Sequence, residues 1–114
     1  MFALAGLLGC EDDTRTREVR YEVTGSAQSV MITMTNSGGN IEQYSDIAVP
    51  WNTSFSVTLK KGGMDEFFFA SIMAQNEGES GGVTVRILVD DEVISESSSS
   101  GAYTIASADE MIGF

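Results

Sequence analysis

The sequence contains no histidine and a single cysteine, Cys10. The absence of histidine removes the usual general base and the commonest metal ligand, and one cysteine cannot form a disulfide within the chain. These absences exclude a Ser-His-Asp triad and a zinc site. No pair of carboxylates is marked by its spacing for glycoside hydrolysis. We therefore expect a protein that is not an enzyme and that holds no cofactor.

Basic residues are also scarce. Six lysines and arginines stand against 17 acidic residues, which gives a formal net charge of -11. A negative field of this size repels the phosphate backbone, so the composition argues against a nucleic-acid partner. It is compatible with a basic protein partner or with calcium and selects neither of them.

No segment keeps an apolar repeat at the helical period, and there is one proline in 114 residues. Apolar and polar residues instead alternate in about eight short runs spaced roughly ten residues apart, which is typical of an antiparallel sandwich. The sequence predicts one all-β domain, an immunoglobulin-like sandwich of about seven or eight strands. The polar run 41–49 is typical of an edge strand.

One predicted strand is apolar on both faces. In the segment "EFFFASIMAQN", alternation places Phe68, Ile72 and two alanines on one face and Phe67, Phe69 and Met73 on the other. Both faces of a strand in a two-layer sandwich cannot belong to the core. We therefore predict that Phe67, Phe69 and Met73 form a partner surface. The alternative is that Trp51 or the loop 60–65 folds over them.

Residues 82–107 predict two further turns. Asp90 and Asp91 interrupt an alternating run, which indicates a tight hairpin with Leu88 opposite Val93 and Ile87 opposite Ile94. The serine run 97–100 with Gly101 predicts a second break. A third strand is expected to begin over residues 103–105.

The N-terminal segment "MFALAGLLGC" is apolar and shorter than the roughly 20 residues that span a bilayer as a helix. Its last four residues resemble a bacterial lipobox, in which a small residue precedes the cysteine that is acylated. No basic residue precedes Cys10, although a signal peptide ordinarily has a basic n-region. We interpret residues 1–10 as a lipoprotein-type signal segment, 11–17 as a charged tether, 18–108 as the folded domain and 109–114 as a short tail.

Acidic and glycine-rich stretches offer alternatives. Asp90, Asp91 and Glu92 form the densest acidic cluster, and Glu77 and Glu79 lie in a glycine-rich loop. Calcium needs six to eight converging oxygens, whereas short polar residues at a hairpin are common for turn geometry alone. The glycine pairs do not lie between a strand and a helix, so none predicts a phosphate loop.

Five segments in order, "YEVTGSA", "VPW", "AQNEG", "VTVRILVDDEV" and "SSSSGAYTIAS", resemble the MmpS family of small mycobacterial membrane proteins and their lipoprotein-like bacterial relatives. The resemblance covers residues 19–107. It implies an immunoglobulin-like sandwich on the outer side of the cytoplasmic membrane and, by analogy, a role beside RND-type exporters. Mycobacterial members carry a transmembrane helix and a cysteine pair, and this chain has neither feature in the matching positions.

The function expected is therefore that of a non-enzymatic, extracytoplasmic lipoprotein of the bacterial cell envelope, anchored at Cys10 and partnered with an RND-type transporter or another envelope protein. A stand-alone surface module that binds glycan, protein or calcium is the alternative. A third possibility is an assembly subunit that pairs through exposed strand edges.

Overall fold

The computed structural model describes residues 14–62 and 66–114, which form eight strands in two four-stranded sheets. The strands are β1 (Thr14–Gly25), β2 (Val30–Thr35), β3 (Ile41–Ile47), β4 (Trp51–Lys60), β5 (Phe67–Asn76), β6 (Gly82–Val89), β7 (Glu92–Ser100) and β8 (Ile105–Gly113). The first sheet has the order β4-β1-β6-β7 and the second the order β3-β2-β5-β8. All neighbouring strands are antiparallel, and the predicted all-β sandwich is confirmed.

The core is built by alternation along each strand. In β1, Val19, Tyr21 and Val23 are fully buried, while the residues between them are only partly covered. The same pattern in β2, β5 and β8 of the facing sheet buries one side of each of these strands against the other layer, as expected for packed sheets. The largest fully buried side chains are Tyr21, Ile32, Ile72, Ile87, Val19, Val23, Val30, Val83, Val85 and Asn76.

The central strand β1 begins earlier than the sequence pattern indicated. Residues 14–17, assigned above to the tether, pair with Val57–Lys60 of β4. Backbone hydrogen bonds hold this ladder, so it needs no apolar alternation, and the pattern therefore gave no sign of a strand there. The strand β3 lies at a sheet edge and is largely exposed, as its polar sequence predicted.

The predicted tail is also part of the sandwich. β8 continues to Gly113, paired with β5, and Ile112 is only 3% exposed. The charged pair Asp109 and Glu110 interrupts the apolar alternation in the sequence and conceals the continuation of the strand.

The hairpin between β6 and β7 confirms one predicted pair and corrects the other. Asp90 and Asp91 both have positive φ, 52° and 68°, and form the tight turn. Leu88 is opposite Val93, as predicted, but Ile87 is opposite Ser95, so the predicted pairing of Ile87 with Ile94 is wrong. A bulge inserts one extra residue into β7 and shifts the register beyond it.

The serine run is a strand and not a break. Ser97–Ser100 pair with Gly82–Val85, and the break falls after them, at Gly101. Tyr103 has a positive φ of 54° and belongs to the turn, so β8 starts at Ile105. Backbone groups form the hydrogen bonds between strands whatever the side chain is, so a run of serines can belong to an edge strand and does not by itself indicate a turn.

Successive strands run in opposite directions, which gathers the connections at two ends of the sandwich. We call the end that holds Thr14, the 36–40 turn, the 61–66 connection, the 90–91 turn and Phe114 the basal end. The opposite end, which holds the connections 26–29, 48–50, 77–81 and 101–104, is called the distal end.

Candidate functional site

The outward face of β5 carries the three residues predicted to form a partner surface. Phe67 is 59% exposed, Phe69 49% and Met73 39%, whereas Phe68 between the two phenylalanines is 9% exposed. The predicted alternation is confirmed. Trp51 lies beside Tyr44, with ring centroids 6.4 Å apart, on β4 and β3 at the far side of the sandwich from β8. Residues 63–65 of the alternative loop lie outside the described part of the chain, and the role of this face as a partner surface stays a prediction.

The neighbouring strand β8 extends this apolar surface. Met111, 57% exposed, is opposite Phe69, and Gly113 is opposite Phe67. The ring of Phe67 covers Gly113, where an added Cβ would lie 3.4 Å from its Cε1 atom. We define the basal apolar patch as Phe67, Phe69 and Met111.

Met73 lies further along the same face and does not join the basal apolar patch directly. It is opposite Ser107, and the pair Ser71 and Asp109 separates it from Met111. Sequence reasoning missed Met111 because residues 109–114 were assigned to a tail. The alternation of Ala106, Ala108 and Ile112, all buried, was the signal that could have placed Met111 on the outer face.

A groove opens beside the basal half of β5. The ladder between β2 and β5 runs only from Val30 opposite Asn76 to Met34 opposite Ile72, so in the described residues Phe67–Ser71 have a strand neighbour, β8, on one side. The groove has a volume of about 640 Å³. It is lined by Thr35, Ser37, Gly38, Gly39, Ile41, Ser56, Val57, Thr58, Leu59, Phe67, Phe68, Phe69 and Ser71.

Tyr21 joins the two sheets where the β2–β5 ladder ends. Its hydroxyl donates to the Thr35 carbonyl at 2.7 Å and accepts from the Ser71 amide at 3.2 Å. Its ring makes an edge contact with Phe55, with centroids 5.5 Å apart. Burial raises the pKa of Tyr21 to about 12, against a smaller opposing effect of the Ser71 hydrogen bond. Tyr21 therefore bridges the layers as a neutral phenol.

The first residues of β1 contact the end of β8 beside the basal apolar patch. Arg15 donates from Nη1 to the carbonyl of Phe114 at 3.1 Å, and Arg17 donates from Nη1 to the carbonyl of Gly113 at 3.0 Å. Gly113 is the residue opposite Phe67. The N-terminal strand and the exposed phenylalanines therefore meet at the same end of the molecule.

The acidic hairpin is used by the fold. Asp90 accepts the Glu18 amide at 3.0 Å and Nε of Arg17 at 2.7 Å. These two hydrogen bonds, the backbone one foremost, hold the pKa of Asp90 below its usual value. Asp91 lies 3.5 Å from Nη1 of Arg20. The carboxylates of this turn are therefore engaged in capping and ion pairing at the basal end.

The other acidic residues considered for calcium lie elsewhere. Glu77 is in the distal 77–81 connection and accepts the Asp46 amide at 3.0 Å. Across residues 14–62 and 66–114, no group of three or more acidic or cysteine side chains is arranged to hold a metal ion. In the serine run, Ser98 is 2.7 Å from the Thr84 hydroxyl, and Ser99 bonds the Thr104 hydroxyl. These serines link strands and the β7–β8 turn.

Cys10 and the first residues of the predicted tether lie outside the described part of the chain. Within the described part, no helix is long and apolar enough to cross a bilayer.

Comparison of the sequence with known protein families gives a match. The family model described as Mycobacterium membrane protein matches residues 11–108. The chain belongs to this family. The match begins at the residue after Cys10 and covers β1 to the first part of β8, which confirms the resemblance to MmpS proteins. Membership of the Mycobacterium membrane protein family supports association with a membrane. No protein with a curated description matches the chain.

Proposed function

We propose that this chain is a non-enzymatic lipoprotein of the bacterial cell envelope, held on the extracytoplasmic side of a membrane by acylation of Cys10. The observation that carries the proposal is the position of the family match. The matched region starts at residue 11, immediately after an apolar segment that ends in Gly9 and Cys10.

Acylation of Cys10 would supply the membrane attachment. A buried acyl chain contributes about 0.8 kcal/mol per methylene, and two chains anchor a protein stably where one is marginal. A lipidated Cys10 would hold the sandwich next to the bilayer through a tether of three residues, 11–13.

The role we propose is that of an accessory subunit for an RND-type exporter. The support is the family membership together with the exposed apolar surface formed by Phe67, Phe69 and Met111 on two paired strands. In the described residues, the buried hydroxyl of Tyr21 is committed to two backbone groups, so it supports a structural and not a catalytic role.

The groove beside β5 favours a second candidate function, a stand-alone module that binds its own ligand. The groove combines a strand edge that β2 leaves unpaired over Phe67–Phe69 in the described residues with a mixed apolar and polar lining, and such concave sites are where ligands bind most often. The two functions predict different partners. Cross-linking in cells followed by purification should recover an RND-type transporter if the accessory role is correct, and its absence would favour the stand-alone module.

The anchor is tested by the Cys10→Ala substitution in a protein expressed with its native upstream sequence. The unsubstituted protein should enter the detergent phase and carry the mass of acyl chains, and the variant should lose both properties. Gly9→Ala is the matched control, since it keeps a small residue before the cysteine and should remain acylated. A soluble protein with an unmodified Cys10 would contradict the proposed anchor and the envelope location with it.

A further inference from the structure

We propose that the basal apolar patch rests in the interfacial region of the membrane that holds the N-terminus, so that its ligand is the lipid bilayer. The inference rests on the proposed anchor at Cys10 and assigns a chemistry to the exposed phenylalanines. Phe67, Phe69 and Met111 each expose about half of their side chains or more, on two paired strands. Contiguous exposed apolar side chains of this kind mark a protein or membrane contact.

The covalent reach of the tether limits where the patch can be. Three residues, 11–13, lie between Cys10 and Thr14, the first residue of β1, so four Cα-to-Cα steps join them. A fully extended chain spans at most about 3.6 Å per residue, so Thr14 lies within roughly 14 Å of an acylated Cys10. The headgroup region on each side of the hydrocarbon is about 5–8 Å thick. The basal end is therefore held at the membrane surface, whatever path the tether takes.

Contacts within the sandwich carry this constraint from Thr14 to the patch. Arg15 and Arg17 bond the carbonyls of Phe114 and Gly113, and the Phe67 ring covers Gly113. The patch therefore lies at the same end of the domain as the start of β1, on the outer face of the facing sheet. Because β5 and β8 are paired through residues 67–75, the three apolar side chains are fixed on one face.

The same face provides an internal contrast. Ile105 is 49% exposed on the outer face of β8, but it lies at the distal end, opposite Gln75. Met111 is six positions further along β8, which corresponds to about 20 Å along a strand. Exposure alone therefore does not assign lipid contact. The position beside the tether does.

Interfacial contact of the patch does not require anionic lipid. The net charge of -11 opposes binding to an anionic surface. The apolar contribution of three partly exposed side chains is modest on its own. Tethering makes the contact intramolecular, and a high effective concentration allows a weak contact to be populated. Neutral phosphatidylcholine is consequently the appropriate probe.

The test uses tryptophan fluorescence in the full, acylated chain. Trp51 begins β4 at the distal end and is the only tryptophan, so it reports on that end in the unsubstituted protein. Phe69→Trp and, separately, Ile105→Trp are made in a Trp51→Phe background. Each protein is reconstituted in phosphatidylcholine vesicles with and without bromine atoms on the acyl chains, which quench tryptophan by contact.

We expect the Phe69→Trp protein to show a blue shift and a loss of fluorescence in brominated vesicles, while the Ile105→Trp and unsubstituted proteins show neither. Met111→Trp should repeat the result if Phe69→Trp lowers stability.

If vesicle-bound Phe69→Trp and Met111→Trp proteins are unquenched, the inference is wrong although the anchor stands. Equal quenching of the Ile105→Trp protein would overturn the end-on placement. A blue shift that appears only in native membrane extracts would mean that the patch binds a protein and not the lipid bilayer. A chain that does not bind vesicles at all would overturn the anchor itself.

Discussion

The two ends of the sandwich are closed to different extents. At the distal end, the connections are bonded to one another through the fully buried Asn76. Its Nδ2 donates to the carbonyls of Ser80 at 2.8 Å and Gly101 at 3.1 Å, and its Oδ1 accepts the Gly78 amide at 2.8 Å. The 77–81 and 101–104 connections are thereby fixed around one side chain.

Close packing reinforces the distal end. Gly25 has φ of 136°, and a Cβ there would lie 2.2 Å from the Gly82 carbonyl oxygen. That oxygen accepts the amides of Ser26 and Ala27. Only glycine permits the end of β1 and the start of β6 to approach so closely. The end of β1 is therefore held tightly against the start of β6 at the distal end.

At the basal end the second sheet is incomplete. β2 turns away after Thr35, the edge of Phe67–Ser71 faces a groove, and Phe67 and Phe69 are exposed. In the described residues, Tyr21 supplies hydrogen bonds at the point where the ladder stops. The polar groups of the distal end therefore maintain the fold, whereas the basal end leaves surface available for a partner.

The largest loss of stability is expected when the hydrogen bonds that join the distal connections are removed. Asn76→Ala leaves the Gly78 amide and two carbonyls without their buried partner, which should lower the free energy of unfolding by about 2–4 kcal/mol. The neighbouring Gln75→Ala is the matched control, because Gln75 bonds the Tyr103 carbonyl in an exposed position. It should cost less than about 1 kcal/mol. Urea unfolding measures both, and equal losses would show that the Asn76 network does not hold the distal end.

A smaller loss of stability is expected at Tyr21, where the ladder between β2 and β5 ends. Tyr21→Phe keeps the ring but leaves the Thr35 carbonyl and the Ser71 amide unpaired, which should lower the free energy of unfolding by about 1–2 kcal/mol. Tyr103→Phe, at an exposed tyrosine, should change it by less than about 0.5 kcal/mol. If the two variants unfold alike, the hydroxyl of Tyr21 does not join the sheets.

The same residue predicts a pH dependence. The pKa of Tyr21 is about 12 in the folded chain and about 10 when unfolded, so folding favours the protonated phenol. The stabilisation is complete below pH 10 and is lost as the pH rises towards 12, by up to about 2 kcal/mol. Tyr21→Phe should lack this part of the alkaline decline. If the free energy of unfolding of the two proteins falls in parallel between pH 10 and 12, Tyr21 does not cause this part of the decline.

The smallest effect is expected at the basal apolar patch. Replacing Phe67 and Phe69 with threonine should change the free energy of unfolding by less than about 0.5 kcal/mol per site, because both rings are largely exposed and threonine suits a strand. Phe68→Thr is the control from the same strand, and it should cost several kcal/mol because it empties a core site, roughly 3–5 for a buried phenylalanine. Thermal or urea unfolding distinguishes them. A large loss in the double variant would make the patch part of the core.

Features that depend on alternation alone were predictable from the sequence. The two faces of β5, the edge position of β3 and the hairpin turn at Asp90 and Asp91 could all be inferred, since a strand with one buried face has a period of two. The same rule correctly placed Phe67 and Phe69 on the outer face of their strand.

Features that depend on a partner strand could not be inferred in this way. The strand at residues 14–17 exists because β4 lies beside it, and the bulge near Ile94 depends on the turn geometry. The groove exists because β2 is shorter than β5. Tyr21 resembles any other core aromatic in the sequence, and only the facing sheet reveals the two groups that its hydroxyl bonds.

Hydrogen exchange tests most directly whether the basal end faces the membrane and the distal end does not. The acylated chain in phosphatidylcholine vesicles is compared with the Cys10→Ala chain in solution, peptide by peptide. We predict slower exchange on the membrane in Phe67–Ser71 and in Met111–Gly113, with no change in the connections 77–81 and 101–104. Protection that appears in those distal connections, or nowhere, would contradict the account.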